Sequence, residues 1–253
     1  MLVLSLFPGI DLLGRGFEAE GFCIVRGPDL LWGGDIRTFT PPARRFEGII
    51  GGSPCQDFSR LRRTPPTGEG LELLAEFVRC VEVAEPDWFV LENVPGVPDV
   101  RPIGYTVQRI DLRANECGLS QQHLRHFQFG SRDGRVLVMP SRDRAAVTER
   151  CAVASEGNQT RRRSWAAFCA AQGLPELDLG ALTLAARYQA VGNGVPFPMA
   201  RLVARAVRDA VPAGTVRVCL CGCGRPVHGR QQSATPACRK RLERRRDSSR
   251  NQC

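Results

Sequence analysis

The chain has 253 residues, 43% of them hydrophobic and 24% charged, with a formal net charge of +9. That length suits one α/β domain with a small appendage, and it can bury enough surface to need no disulfide staples. No apolar run reaches transmembrane length, and the apolar start from Met1 to Phe7 lacks a basic n-region and breaks at Pro8-Gly9, so neither a signal peptide nor a membrane partner is expected.

The elements follow in chain order. Leu2 to Phe7 reads as a first strand ending in a glycine turn, and Asp11 to Glu20 as a helix. Phe22 to Val25 and Glu47 to Ile50 are short strands. Leu71, Leu74, Phe77, Val78 and Val81 share one face of a helix over 71–85, which Pro86 stops. Trp88 to Leu91 is a fourth strand, Tyr105 to Cys117 reads as a helix, and His126 to Phe129 and Arg135 to Met139 as later strands. Residues 140–183 lack strand signals. A Gly-Asn-Gly turn at 192–194 precedes a helix over 198–210, and 212–216 looks like a linker. This alternation predicts an α/β fold with a mostly parallel sheet, covered on both faces, whose functional groups lie at the carboxyl ends of the strands.

The charge is unevenly placed. Residues 217–253 hold 10 Lys and Arg against 2 acids, so the body is near neutral and the tail is basic. A basic tail suggests a polyanion, most simply nucleic acid, or else a solvated extension. Seven of the eleven cysteines are scattered, as expected of reduced thiols in a cytoplasm, and four cluster at Cys219, Cys221, Cys223 and Cys238.

Five loop segments carry chemistry. Leu6-Phe7-Pro8-Gly9-Ile10-Asp11 places a glycine after the first strand, where backbone approaches a cofactor. Pro54-Cys55-Gln56, within Gly51 to Ser59, presents a thiol on a strand-end loop; the thiolate is a potent soft nucleophile. Glu92 ends an apolar strand, where a carboxylic acid can donate a proton. Gln121-Gln122-His123-Leu124-Arg125 brings a fixed cation, and Gly192-Asn193-Gly194-Val195-Pro196 is a tight turn before the last helix.

In this order the segments resemble the DNA cytosine-5 methyltransferase family over most of residues 1–210, with compact bacteriophage enzymes the nearest in form. The resemblance implies a Rossmann-like S-adenosylmethionine-dependent fold. It makes Cys55 the nucleophile at cytosine C6, Glu92 the acid at N3 and Arg125 a contact to O2. It implies a cofactor site of Phe7, Gly9, Asp11, Asp29, Asp35, Pro54, Asn193 and Val195. Asp29 would hold the ribose hydroxyls and Asp35 the adenine amino group. Asp11 stands where the family usually has a second glycine, and is expected to narrow the methionine end of the site. Gln121 and His123 would lie at the DNA, His123 standing where the family has an arginine.

Two features depart from the family pattern. The recognition region before the closing turn is only about residues 140–183. It implies short or loose sequence specificity, with Arg161, Arg162, Arg163 and Trp165 as candidate DNA contacts or simply an exposed helix start. The tail over 217–253 resembles a small zinc knuckle. Cys219, Cys221, Cys223, His228 and Cys238 are five candidates for four ligand positions, and the CxCxC spacing differs from the usual CxxC pair. Arg239, Arg241 and the arginines up to Arg246 would add non-specific DNA affinity. The substrate alternative is RNA, since a relative of this fold acts on tRNA; an inactive DNA-binding homologue is the other. A monomer is expected.

Overall fold

The computed structural model describes residues 1–59, 62, 65–140, 144–236 and 238–243; Arg244 to Arg246 and Cys253 lie outside them. In chain order the elements are β1 (Leu2–Leu6), α1 (Leu12–Glu18), β2 (Cys23–Arg26), β3 (Gly48–Gly51), α2 (Glu69–Ala84), β4 (Trp88–Asn93), β5 (Thr106–Arg113), β6 (Leu124–Ser131), β7 (Arg135–Val136), α3 (Trp165–Ala171), α4 (Leu184–Asn193), α5 (Phe197–Arg208) and β8 (Val211–Pro212). Short 3-10 turns sit between several of them. Six strands form one sheet in the order β2-β1-β3-β4-β6-β5. The first four run parallel, while β6 is antiparallel to both of its neighbours.

Every residue of β3 and β4 is buried, as strands covered on both faces require. Side chains alternate along β4. Trp88 and Val90 face α1 and α5, packing with Phe17, Met199 and Val203. Phe89 and Leu91 face α2, packing with Leu74, Phe77 and Val81. The two helices on the first face meet closely at Gly16, where a Cβ would stand 2.3 Å from the Ala200 Cβ. A third cluster, with Phe168, Tyr188 and Val191, joins the recognition region to Ile10 and Leu12.

Three sequence expectations change. The segment read as a helix over 105–117 is the strand β5, followed by a 3-10 turn at Ala114–Cys117. Ile110 and Leu112 bury at period two, and an eight-residue antiparallel ladder to β6 outweighs the local pattern. The strand read over 135–139 is only the two-residue β7. It pairs with β8, so the expected linker begins as ordered ladder. Beyond it the Gln108 side chain replaces a strand: its Oε1 accepts from Leu137 N (2.7 Å) and its Nε2 donates to Leu137 O (3.1 Å). Gly192 and Asn193 are the end of α4 rather than a free turn.

Candidate active site

The loops after β1, β3 and β4 meet the start of β6 and the end of α4 around a cleft of ≈ 410 Å³. Its size falls in the range of small-ligand pockets, about 300–1,000 Å³. Phe7, Pro54, Asn193 and Val195 all line it, as expected.

The loop between β1 and α1 is unusually shaped. Phe7, Gly9 and Asp11 have φ of 52°, 53° and 57°, a region costly for the two non-glycine residues. Hydrogen bonds hold it there. Gly9 N donates to Asp29 Oδ2 (2.8 Å), and Trp32 Nε1 donates to Gly9 O (2.7 Å). The other Asp29 oxygen accepts from Leu31 N (2.8 Å), so Asp29 stitches the first two strand-end loops together at the cleft wall. Asp35 is half-buried, also lines the cleft, and starts a 3-10 turn by accepting from Arg37 N (2.9 Å).

Asp11 also lines the cleft. Its carboxylate caps α1, accepting from Gly14 N (3.0 Å) and Ser5 Oγ (2.9 Å), with the Arg26 guanidinium 2.9 Å away. Burial nevertheless pushes its pKa up. The side chain serves the helix start, which is the physical reason an acid replaces glycine there.

Cys55 sits at φ −96°, ψ 0°, half-buried at the head of a 3-10 turn. Burial raises its pKa, opposed by the charge of Arg125. Glu92 is buried at the end of β4, and burial pushes its carboxyl up to about 7 against the pull of Arg125. Arg125 Nε lies 2.9 Å from Glu92 Oε1. Arg125 also donates to the carbonyls of Gly192 and Asn193 (both 3.4 Å), tying β6 to the closing segment. Gly52 leaves room for this pair, since a Cβ there would stand 2.9 Å from Glu92 Oε2.

Two positioning residues escape sequence reasoning. Asn93 Nδ2 donates to Ser53 O (2.9 Å) and Ser53 Oγ (3.1 Å), locking the Cys55 loop to the strand of Glu92. Asp57 accepts from Thr67 N, Gly68 N and Gly70 N (2.9 Å each), closing the Cys55 loop onto the start of α2. The signal was faint: α2 begins at a glycine, which brings no side-chain cap of its own.

The expected DNA contacts separate into two groups. Gln121 is buried: it donates to Ala171 O (2.5 Å) and accepts from Ala152 N (2.7 Å), so it is an internal strut rather than a DNA contact. His123 is buried too. Burial, with Arg125 beside it, holds its imidazole well below the ordinary value and therefore neutral. Arg163 is tied to buried Glu156 (2.6 Å) and lies over the Phe168 ring, and Trp165 donates to Leu177 O within the same cluster. Arg161 and Arg162 remain exposed.

In the tail, the Sγ atoms of Cys219, Cys221, Cys223 and Cys238 all lie within 4.8 Å of one another and are buried, a group that could hold a metal ion. His228, a fifth candidate from the sequence, is exposed and outside the group. Arg239 is exposed, whereas Arg241 is engaged by Asp111 of β5 (3.1 Å), contrary to a role as a free DNA contact. No helix among the described residues is long and apolar enough to cross a membrane.

The arrangement has relatives. A type II methylase, M.HgiDII of Herpetosiphon aurantiacus, is 26% identical over 173 residues, covering 54% of this chain and 49% of its own. A type II methyltransferase from the same organism, M.HgiDI, is 29% identical over 167 residues, covering 54% of each. The chain thus spans about half the length of these curated relatives. Among solved structures, the S. pombe Dnmt2 methyltransferase superposes with a TM-score of 0.58 at 14% identity, over 83% of this chain and 99% of that one, a likeness of fold. The family described as C-5 cytosine-specific DNA methylase matches residues 32–164, which contain Cys55, Glu92 and Arg125, and the chain belongs to that family.

Proposed function

We propose that this protein methylates cytosine at C5 in double-stranded DNA, with S-adenosylmethionine as the methyl donor. The observation that carries the reading is the convergence of Cys55, Glu92 and Arg125 on one cleft, with the last two in contact at 2.9 Å. The cleft also fits the donor. Its left-handed loop exposes backbone at Gly9, where a Cβ would meet nothing within 4 Å, and Asp29 and Asp35 stand on its wall. When bound there, S-adenosylmethionine supplies an electrophilic methyl group.

The residues then divide the work. A cytosine turned out of the helix enters the cleft. The Cys55 thiolate adds to C6, and electron density moves toward N3. Glu92, whose pKa burial lifts to about 7 so that a good part of it is protonated near neutral pH, gives a proton to N3 as that charge develops. Arg125 polarises O2 and lowers the cost of ionising Cys55. After C5 has gained its methyl group, loss of the C5 proton to solvent restores the C5–C6 double bond and expels Cys55 as its thiolate, while N3 returns its proton to Glu92.

Around the cleft, Arg161 and Arg162 would meet phosphates. The recognition region is short, and among its described residues Arg144, Arg150 and Arg163 pair with acids of the chain, so a short or loosely defined methylated site is proposed. Bisulfite sequencing of DNA from expressing cells tests this; a long, strict site would contradict it. The activity is tested by transfer of labelled methyl groups to DNA and to tRNA, comparing the native chain with Cys55→Ser. Label in DNA that disappears with Cys55→Ser supports the reading. Label confined to tRNA would reassign the substrate, and equal transfer by both proteins would remove Cys55 from the mechanism.

A further inference from the structure

The tail is docked on the catalytic domain. Met139 N donates to Gly224 O (2.9 Å), and Gly224 packs so closely on Leu137 and Gln108 that a Cβ would stand 2.7 Å from Leu137 O. The contact reaches β5, the outer strand of the sheet, through the Gln108 side chain.

The four sulfurs are arranged as a metal would need. Tetrahedral zinc with Zn–S of about 2.3 Å implies S–S separations of about 3.8 Å. Cys219 and Cys221 are 3.4 Å apart, and Cys223 and Cys238 are 3.7 Å apart, far longer than a disulfide. Donors already surround them: Ala234 N to Cys219 (3.3 Å) and Thr235 Oγ1 to Cys238 (3.1 Å).

Two arginines join this group to the sheet. Arg241 reaches Cys221 Sγ (3.9 Å) with one nitrogen and Asp111 Oδ2 (3.1 Å) with the other. Arg225 hydrogen-bonds Cys223 and pairs with buried Glu116 (2.9 Å). Four thiolates around one divalent cation keep two net negative charges, and these arginines supply two positive ones. The link continues inward. Asp111 Oδ1 is 2.7 Å from His126 Nδ1, and Arg125 is both the neighbour of His126 in β6 and the cross-strand partner of Leu112 in β5.

We propose that Cys219, Cys221, Cys223 and Cys238 hold a structural zinc ion, without His228. The loaded knuckle, through Arg225 and Arg241, clamps the β5–β6 edge that presents Arg125. Without the ion nothing holds the four sulfurs together, Arg225 and Arg241 are no longer fixed beside them, and the knuckle releases the edge strand. The consequence for Arg125 rests on the methyl-transfer reading; metal content and strand protection do not, so the two can fail separately.

The test uses the full chain purified without chelator. Metal analysis should give about one zinc per chain, lost in a Cys223→Ser, Cys238→Ser double variant. Hydrogen exchange before and after chelation should show amides of β5 and β6 exchanging roughly tenfold faster without metal, with β1 and β3 little changed. Readdition of zinc chloride should reverse it. Should the cysteine variants fail to fold, Asp111→Asn serves: it should keep the zinc and still speed exchange in β5 and β6. A chain that carries no zinc and takes up none would overturn the site. A zinc-loaded chain whose β5 and β6 exchange is unmoved by chelation and by Asp111→Asn would overturn the clamp.

Discussion

At the residue scale, the site pairs an acid and a nucleophile whose protonation needs are opposed. Burial raises Glu92 to about 7 and also raises Cys55, so the reactive combination, protonated Glu92 with ionised Cys55, is a minor state of the free protein. As pH rises toward 7, Cys55 ionises progressively while Glu92 stays protonated, so kcat/KM should rise. Above about 7, Glu92 loses its proton as fast as Cys55 gains charge, and the curve should level. In Glu92→Gln the rate should fall on the order of 10²-fold or more, and its rise should continue past pH 7. A pH–rate series on both proteins checks this; a break near 7 that survives in Glu92→Gln would assign it to another group. The identities of Cys55, Glu92 and Arg125 were legible in the sequence. The raised pKa values of Cys55 and Glu92 were not, because the burial and the opposing charge come from strands 33 residues apart in sequence, at Glu92 and Arg125.

At the element scale, helix starts and loop anchors explain residues that looked functional. Asp11 is one such case, and Asp57 is the reverse: it looked incidental, yet it joins the Cys55 loop to α2 through three backbone donors. Asp57→Ala should lower the midpoint of urea denaturation, since three backbone donors at the start of α2 lose their acceptor. Gly16→Ala should cost about 1–3 kcal/mol, because the new methyl would collide with Ala200 and force α1 and α5 apart. The exchange of helix for strand over 105–117 belongs at this scale too. Local spacing was compatible with either, and the ladder to β6 decided.

At the scale of the whole molecule, the net charge of +9 is only partly available to a polyanion. Arg163, Arg225 and Arg241 are engaged with Glu156, Glu116 and Asp111, while Arg161, Arg162, Arg239 and Lys240 are exposed. Alanine at any of the four exposed positions should lower the slope of log affinity against log salt by up to about 0.9. Fluorescence anisotropy on a DNA duplex at several salt concentrations measures it. Arg163→Ala should instead cost stability, since it leaves the buried Glu156 carboxylate with Arg150 as its remaining ion-pair partner. A chain ended at Gly214 should be less stable, because it removes the Arg225–Glu116 and Arg241–Asp111 pairs; urea denaturation would show it.

What the sequence determined by itself was local: the first four strands, the glycine turns and reactive side chains beside them, the helices α1, α2 and α5, and the four-cysteine tail. Those depend on spacing and residue type within a few positions. The tertiary structure decided which polar residues face the cleft and which are consumed inside. Gln121, His123, Arg163 and Arg241 were indistinguishable in sequence from surface contacts until partners from distant segments buried or paired them. It likewise reduced five candidate ligands to four. Sulfur separations depend on how the whole knuckle closes against β5, and nothing within the CxCxC segment encodes where His228 will point.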